Sequence, residues 1–209
     1  MDKSKESITY NILVTGGAGF IGSHIVEELL KKEVFFKFPL KEIKVEFKIF
    51  ILDNFSTGKM ENIEDFLNHD NVRLKKGDLT DYKFLLELML GMDYVIHQGA
   101  LGSVPRSFDE PKLYAQHNII ATMNIFNSAE YCRHNIKGIV QASSSSVYGD
   151  TEELPKHEEM DVTPKSPYAF SKLVCEEMAH NFNIRTRIPV TSLRYFNVFG
   201  ARQNLNGIY

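Results

Sequence analysis

Between a short apolar, β-branched stretch, Asn11 to Thr15, and a segment with apolar residues at helical spacing, Ser23 to Lys32, lies Thr15-Gly16-Gly17-Ala18-Gly19-Phe20-Ile21-Gly22. The predicted order is strand, glycine turn, helix. Gly16 permits the sharp turn, Gly19 lets backbone approach a pyrophosphate, and Gly22 lets the helix lie close against the strand. The helix N-terminus then faces the phosphates. A glycine pattern alone is weak evidence. It gains weight here because strand and helix flank it as a dinucleotide site requires.

The alternation continues, with strands expected at Phe47 to Leu52, Val72 to Lys76, Tyr94 to His97, Ile139 to Ala142 and Val190 to Leu193, and helices between them. Six strands separated by helical stretches predict an α/β fold. Its form is a Rossmann-type doubly wound parallel sheet with helices on both faces, spanning residues 1–209 as one cofactor-binding domain. Asp53 closes the second strand, where a carboxylate accepts hydrogen bonds from ribose hydroxyls and repels a 2′-phosphate. NAD is therefore favoured over NADP. Asp53 falls further beyond Gly22 than the roughly 20 residues expected, and the Phe- and Lys-rich stretch Glu33 to Glu46 accounts for the excess as an insertion of unassigned structure.

With 209 residues the chain can bury one sizeable core. A net charge of −3 gives no broad field to hold nucleic acid or an anionic membrane, so an anionic ligand must be gripped by local groups. Cys132 and Cys175 stand apart from any CxxC or His-rich tract, which predicts reduced thiols and no metal site. The polar start, and the absence of an apolar run of about 18 residues, make the cytoplasm the expected location.

Further along, Tyr168-Ala169-Phe170-Ser171-Lys172 places a phenol and an amine at i and i+4, on one face of a helix begun by Ser166-Pro167. A tyrosine ionises near pH ~10, so one working as a base near neutrality needs roughly 4 kcal/mol of differential stabilisation. A neighbouring cation such as Lys172 supplies part of it. The serine run Ser143 to Ser146, followed by Val147-Tyr148-Gly149, ends a buried-looking strand where such sheets bind ligands.

Taken with Leu52-Asp53-Asn54-Phe55-Ser56-Thr57-Gly58 and Gly77-Asp78-Leu79-Thr80-Asp81, these motifs resemble the extended short-chain dehydrogenase/reductases over nearly the whole chain. The likeness is greatest to the NAD-dependent epimerase/dehydratase group acting on UDP-N-acetylglucosamine. The resemblance implies that Phe20, Ile21, Asp53, Asn54, Ser56, Thr57, Gly58, Asp78 and Leu79 surround the adenosine half of NAD, with Asp78 at the adenine. It implies that Gln98, Gly99, Ala100 and Asn118 line the rest, and that Phe196 approaches the nicotinamide. Gly99 departs from the more usual alanine, a difference expected to remove one methyl group and little else. Ser144 is implied to be the catalytic hydroxyl, relaying a proton to Tyr168, with Lys172 completing the set. Gly102, Ser103, Ser144, Ser145, Tyr168 and Asn197 are implied to hold a UDP-sugar. Related dehydratases and decarboxylases carry carboxylates where Ser145 and Ser146 stand here. A hydroxyl does not replace a carboxylate as general base, so C4 epimerisation is preferred. The alternatives are a non-catalytic NAD-binding fragment, or a dehydratase or decarboxylase. Relatives of this kind continue past residue 209 into a smaller C-terminal lobe, so the chain is expected to lack most of the substrate lobe and to be impaired alone. Relatives also pair through helices near Pro111 to His134 and Tyr168 to Asn181, and the residues leave open whether this chain forms that homodimer.

Overall fold

A computed structural model describes residues 7–37 and 42–203. Along them run β1 (Ser7–Thr15), α1 (Phe20–Lys31), β2 (Val34–Lys37), β3 (Glu42–Asp53), α2 (Glu64–Leu67), β4 (Val72–Lys76), α3 (Tyr82–Met89) and β5 (Tyr94–His97). There follow α4 (Val104–Asp109), α5 (Pro111–Tyr114), α6 (Ala121–Tyr131), β6 (Gly138–Ser144), α7 (Pro167–Thr186) and β7 (Val190–Tyr195). A π-helical turn, Ala115–Ile120, joins α5 to α6. No helix among the described residues is long and apolar enough to cross a membrane.

The six expected strands are all present and mutually parallel, in the spatial order β4, β3, β1, β5, β6, β7. The chain leaves β1 toward one edge and returns at β5 toward the other. The β1–β5 junction is therefore the switch point, outside whose strand ends ligands bind in doubly wound sheets. Period-2 alternation explains why both faces are covered. On β1, Leu13 faces a core with Leu85, Met89, Ile125, Phe126 and Phe182, while Ile12 and Val14 face another with Val26, Ile51 and Ile63.

The fully parallel expectation is corrected at one place. The stretch read as an unassigned insertion instead forms β2 and the first part of β3, paired antiparallel from Val34↔Val45 to Lys37↔Glu42; residues 38–41 lie outside the described residues, as do 1–6 and 204–209. The cause is visible in the residues: Ile43 and Val45 alternate with Lys44 and Glu46, and both apolar side chains are buried. β1 correspondingly extends back to Ser7, which pairs with Lys44. The hairpin lengthens the sheet away from the glycine turn, so Asp53 keeps its place at the end of the strand beside β1.

Candidate functional site

The chain reverses after β1 because Gly16 adopts φ +65°, and a Cβ there would lie 2.7 Å from the Gly99 backbone nitrogen. Gly19 caps α1, and a Cβ on Gly22 would lie 2.1 Å from the Gly16 carbonyl oxygen. The first residues of α1 thus rest on the turn itself. No side chain caps α1 and no acidic residue occupies its first turn, which leaves this helix end for an anion.

Asp53 is nearly buried; its two carboxylate oxygens accept the Ala18 N–H at 2.9 Å and the Phe55 N–H at 2.8 Å. Each keeps a second lone pair for a ribose hydroxyl. Gly58 does not line the cleft. It lets its loop pass over Asp53, since a Cβ there would stand 2.9 Å from both carboxylate oxygens. Asp78 accepts the Asn54 amide at 2.6 Å and the Thr80 N–H and hydroxyl at 2.8 and 2.7 Å. Burial works against its charge, but those donors outweigh it and hold its pKa below the ordinary carboxylate range.

Past β5, a Cβ on Gly99 would come within 2.8 Å of Leu79 Cδ1. That atom is the free end of a flexible side chain, so an alanine here would ask only a small shift of Leu79. The Gln98 side-chain amide is buried beside the Tyr195 phenol, which burial pushes above its usual pKa. Asn118 is also placed differently from the expectation. It is 1% exposed and lies behind the wall, accepting the Leu101 N–H at 2.8 Å and donating to the Leu101 carbonyl and to Ser171 Oγ. It fixes the Leu101 loop from behind.

At the far end of the cleft, β6 delivers Ser144 into the tight turn Ser145–Tyr148. Ser144 Oγ accepts both the Ser146 N–H at 3.2 Å and the Ser146 hydroxyl at 2.9 Å, leaving its own proton to donate elsewhere. On α7, capped by Ser166 and opened by Pro167 as expected, Lys172 is 6% exposed and donates to the Ala142 carbonyl at 2.8 Å. The Tyr168 ring meets Tyr114 edge to face at 6.3 Å. Tyr114 in turn donates to the Ser103 carbonyl at 2.6 Å, which ties the Gly102–Ser103 loop to the wall holding Tyr168.

These groups share one cleft of about 760 Å³. Gly16, Gly19, Phe20, Ile21, Gly22, Asp53, Asn54, Ser56, Thr57, Asp78, Leu79, Gln98, Gly99 and Ala100 line one part. Gly102, Ser103, Ser144, Ser145, Tyr168, Lys172, Phe196 and Asn197 line the other. Of the residues selected from sequence, only Gly58 and Asn118 stand outside its lining. Sequence reasoning missed Ser143, Ser146, His117, Tyr195, Val198 and Gln203, which also line it. Tyr195 was within reach, since it ends the strand before Phe196 where doubly wound sheets place ligands. His117 carries no pattern that marks it.

Behind the serine loop, Glu176 on α7 accepts the Ser143 hydroxyl and both Arg194 Nε and Nη2, the latter at 2.8 Å, with the Arg194 guanidinium 4.8 Å from the Tyr148 ring centre. One carboxylate thus ties α7, β6 and β7 together, its side chain 12% exposed against 19% for Arg194. Glu176→Ala leaves the guanidinium unpaired and is expected to cost about 3 kcal/mol in a urea unfolding titration. A loss below about 0.5 kcal/mol would reduce the pair to a surface contact.

The family model described as GDP-mannose 4,6 dehydratase matches residues 13–208. The chain belongs to this family. A solved member, UDP-N-acetylglucosamine 4-epimerase from Methanobrevibacter ruminantium M1 in complex with UDP-N-acetylmuramic acid, superposes with a TM-score of 0.84 at 41% identity, over 96% of this chain and 59% of that one. The UDP-glucose 4-epimerase of Thermus thermophilus, solved in complex with NAD, gives 0.78 at 34% identity, over 93% and 57%. The bifunctional UDP-glucose 4-epimerase and UDP-xylose 4-epimerase 1 of Pisum sativum is 33% identical over 92% of this chain and 53% of its own length. The chain spans little more than half the length of these members of the nucleotide-sugar epimerase/dehydratase family.

Proposed function

We propose that this chain is the dinucleotide-binding part of an NAD-dependent UDP-sugar 4-epimerase. The observation that carries the reading is the shared cleft, which brings the glycine turn and Asp53 to one end and Ser144, Tyr168 and Lys172 to the other. The residues fit NAD. An uncapped helix N-terminus suits a pyrophosphate, the Asp53 oxygens keep lone pairs for ribose hydroxyls, and the cleft lies within the range of volumes that hold small ligands. The two dinucleotide-end residues behind the lining, Gly58 and Asn118, act by shaping it.

In this reading Tyr168 takes the proton of the sugar 4-hydroxyl. The free Ser144 proton hydrogen-bonds the same oxygen, and Lys172 stands one turn further along the same face of α7. The chemistry that NAD supplies when bound is removal of a hydride from C4 and its return to the opposite face of the sugar. Serines at 145 and 146 offer no carboxylate for elimination or decarboxylation, which favours epimerisation over those rivals. A Cβ on Gly102 would meet nothing within 4 Å, so nothing described crowds a sugar there, and the solved relative at 41% identity is a UDP-N-acetylglucosamine 4-epimerase. UDP-N-acetylglucosamine and its C4 epimer are accordingly the first substrates to test, with UDP-glucose second. A homodimer through α6 and α7 belongs to the same reading, since Tyr131 and Phe170 leave 70% and 56% of their surfaces exposed there.

The test is a product assay on a protein that carries this sequence together with a C-terminal lobe. Formation of the C4 epimer without net consumption of NAD+ is expected. Release of water or carbon dioxide from the sugar would instead identify a dehydratase or decarboxylase, and NAD+ binding without any product would identify a binding module.

A further inference from the structure

Beneath the cleft floor lies a polar chain that the reaction above does not use. His97, the last residue of β5, is 6% exposed and lies between two threonine hydroxyls, with Thr15 Oγ1 2.7 Å from Nδ1 and Thr122 Oγ1 2.9 Å from Nε2. Thr15 and Thr122 are themselves buried. Thr15 Oγ1 also accepts the backbone N–H of Gly99 at 3.1 Å. Gly99 is the residue against which the Gly16 turn is packed, so closely that a Cβ on Gly16 would lie 2.7 Å from its nitrogen.

Counting protons gives the chain a direction. A threonine hydroxyl has one proton, and a buried one needs an acceptor. The Gly99 N–H already uses a lone pair of Thr15 Oγ1, and Nδ1 of His97 can take the Thr15 proton only if it carries none itself. Nε2 then bears the ring proton and donates to Thr122 on α6, whose own proton goes to the Cys175 sulfur. An imidazolium would lose the acceptor for Thr15. It would also set a second positive charge in the field of Lys172. The titratable groups facing this region from α7 are Lys172 and Cys175, whose thiol meets the Thr122 hydroxyl. Neither offers a negative charge to hold a protonated ring. Burial first, and Lys172 second, lower the His97 pKa to about 3.

We propose that His97, fixed as the neutral Nε2–H tautomer, is a positioning residue for the cofactor: it orients the Thr15 hydroxyl that holds Gly99, and so sets the Gly16–Gly99 floor on which the dinucleotide lies. This rests on the NAD reading above. It assigns His97 no contact with the ligand. The residue acts through Thr15 and Gly99, and through Thr122 it ties the floor to α6.

Two measurements on the isotope-labelled 209-residue chain test it. In a long-range nitrogen–proton correlation spectrum, with the His97 signal identified by its loss in His97→Gln, Nδ1 is expected bare and Nε2 protonated, unchanged between about pH 5.5 and 8. In NAD+ titrations, His97→Leu is expected to bind about tenfold more weakly, the cost of one lost hydrogen bond. His97→Gln, which keeps a donor and an acceptor, should recover most of that affinity, a rescue that a volume effect alone would not give. An Nδ1–H tautomer, an imidazolium forming within that range, or wild-type affinity in His97→Leu would overturn the proposal. If His97→Leu does not fold, the wild-type tautomer decides. A wrong tautomer with intact NAD+ binding sinks this proposal alone, whereas a wild-type chain that binds no NAD+ sinks the cofactor reading and the positioning role together.

Discussion

Replacing Gly22 by alanine is expected to abolish measurable NAD+ binding and to destabilise the chain by about 3 kcal/mol or more. The added methyl would lie 2.1 Å from the Gly16 carbonyl oxygen and 2.8 Å from both the Gly16 carbonyl carbon and Gly17 Cα. All three are backbone atoms of the turn, so no side chain can swing aside. α1 must move away from β1 or the turn must open, and either change removes the helix end from the position it offers to a pyrophosphate. The contrast with other glycines makes the result diagnostic. At Gly17 the methyl would meet Ile51 Cγ2 at 2.9 Å and the Val14 carbonyl oxygen at 3.1 Å, a milder clash than the one at Gly22. At Gly91 it would meet nothing within 4 Å, so Gly91→Ala should leave NAD+ affinity unchanged. Urea titration and NAD+ calorimetry on the three variants would show that order. Wild-type affinity in Gly22→Ala would contradict the placement of the cofactor on this turn.

Tyr168→Phe is expected to lower epimerase turnover by about 10³-fold, within the range for loss of a positioned acid–base group, while NAD+ affinity changes little. Only a hydroxyl is removed. The ring keeps its edge-to-face contact with Tyr114, and Lys172 keeps its bond to the Ala142 carbonyl, so the wall of the cleft should survive. The measurement needs a protein with a C-terminal lobe and reads turnover and bound cofactor separately. Ser144→Ala should act in the same direction through the hydrogen bond to the reacting oxygen, by about 10²-fold. Undiminished turnover in Tyr168→Phe would remove it from the reaction. Equal loss of cofactor and turnover would make it a structural residue.

The parts of the fold written in short-range patterns were legible in the sequence. The glycine spacing specified the turn, because close backbone approaches at Gly16 and Gly22 each exclude a side chain there. Ser166-Pro167 announced α7, and the i, i+4 spacing placed Tyr168 and Lys172 on one face. The antiparallel pairing of 34–37 with 42–45 carried an equally local signal, the alternation of Ile43 and Val45 with Lys44 and Glu46. It was obscured because the usual fold passes directly from first helix to second strand. Distant pairings were not legible. Asn118 serves Leu101 and Ser171, and Gly58 serves Asp53, through contacts that no spacing along the chain encodes. The Ser146 donation to Ser144 was hidden for another reason. In a run of four serines, residue type cannot say which hydroxyl orients which, and only the turn geometry separates them.

The most direct measurement is a crystal structure of this chain with NAD+. The account predicts a pyrophosphate against the first turn of α1, ribose hydroxyls on Asp53, and the Tyr168 and Ser144 oxygens converging on one position beside the nicotinamide. A cofactor bound elsewhere, or those two oxygens turned away from the nicotinamide, would contradict it.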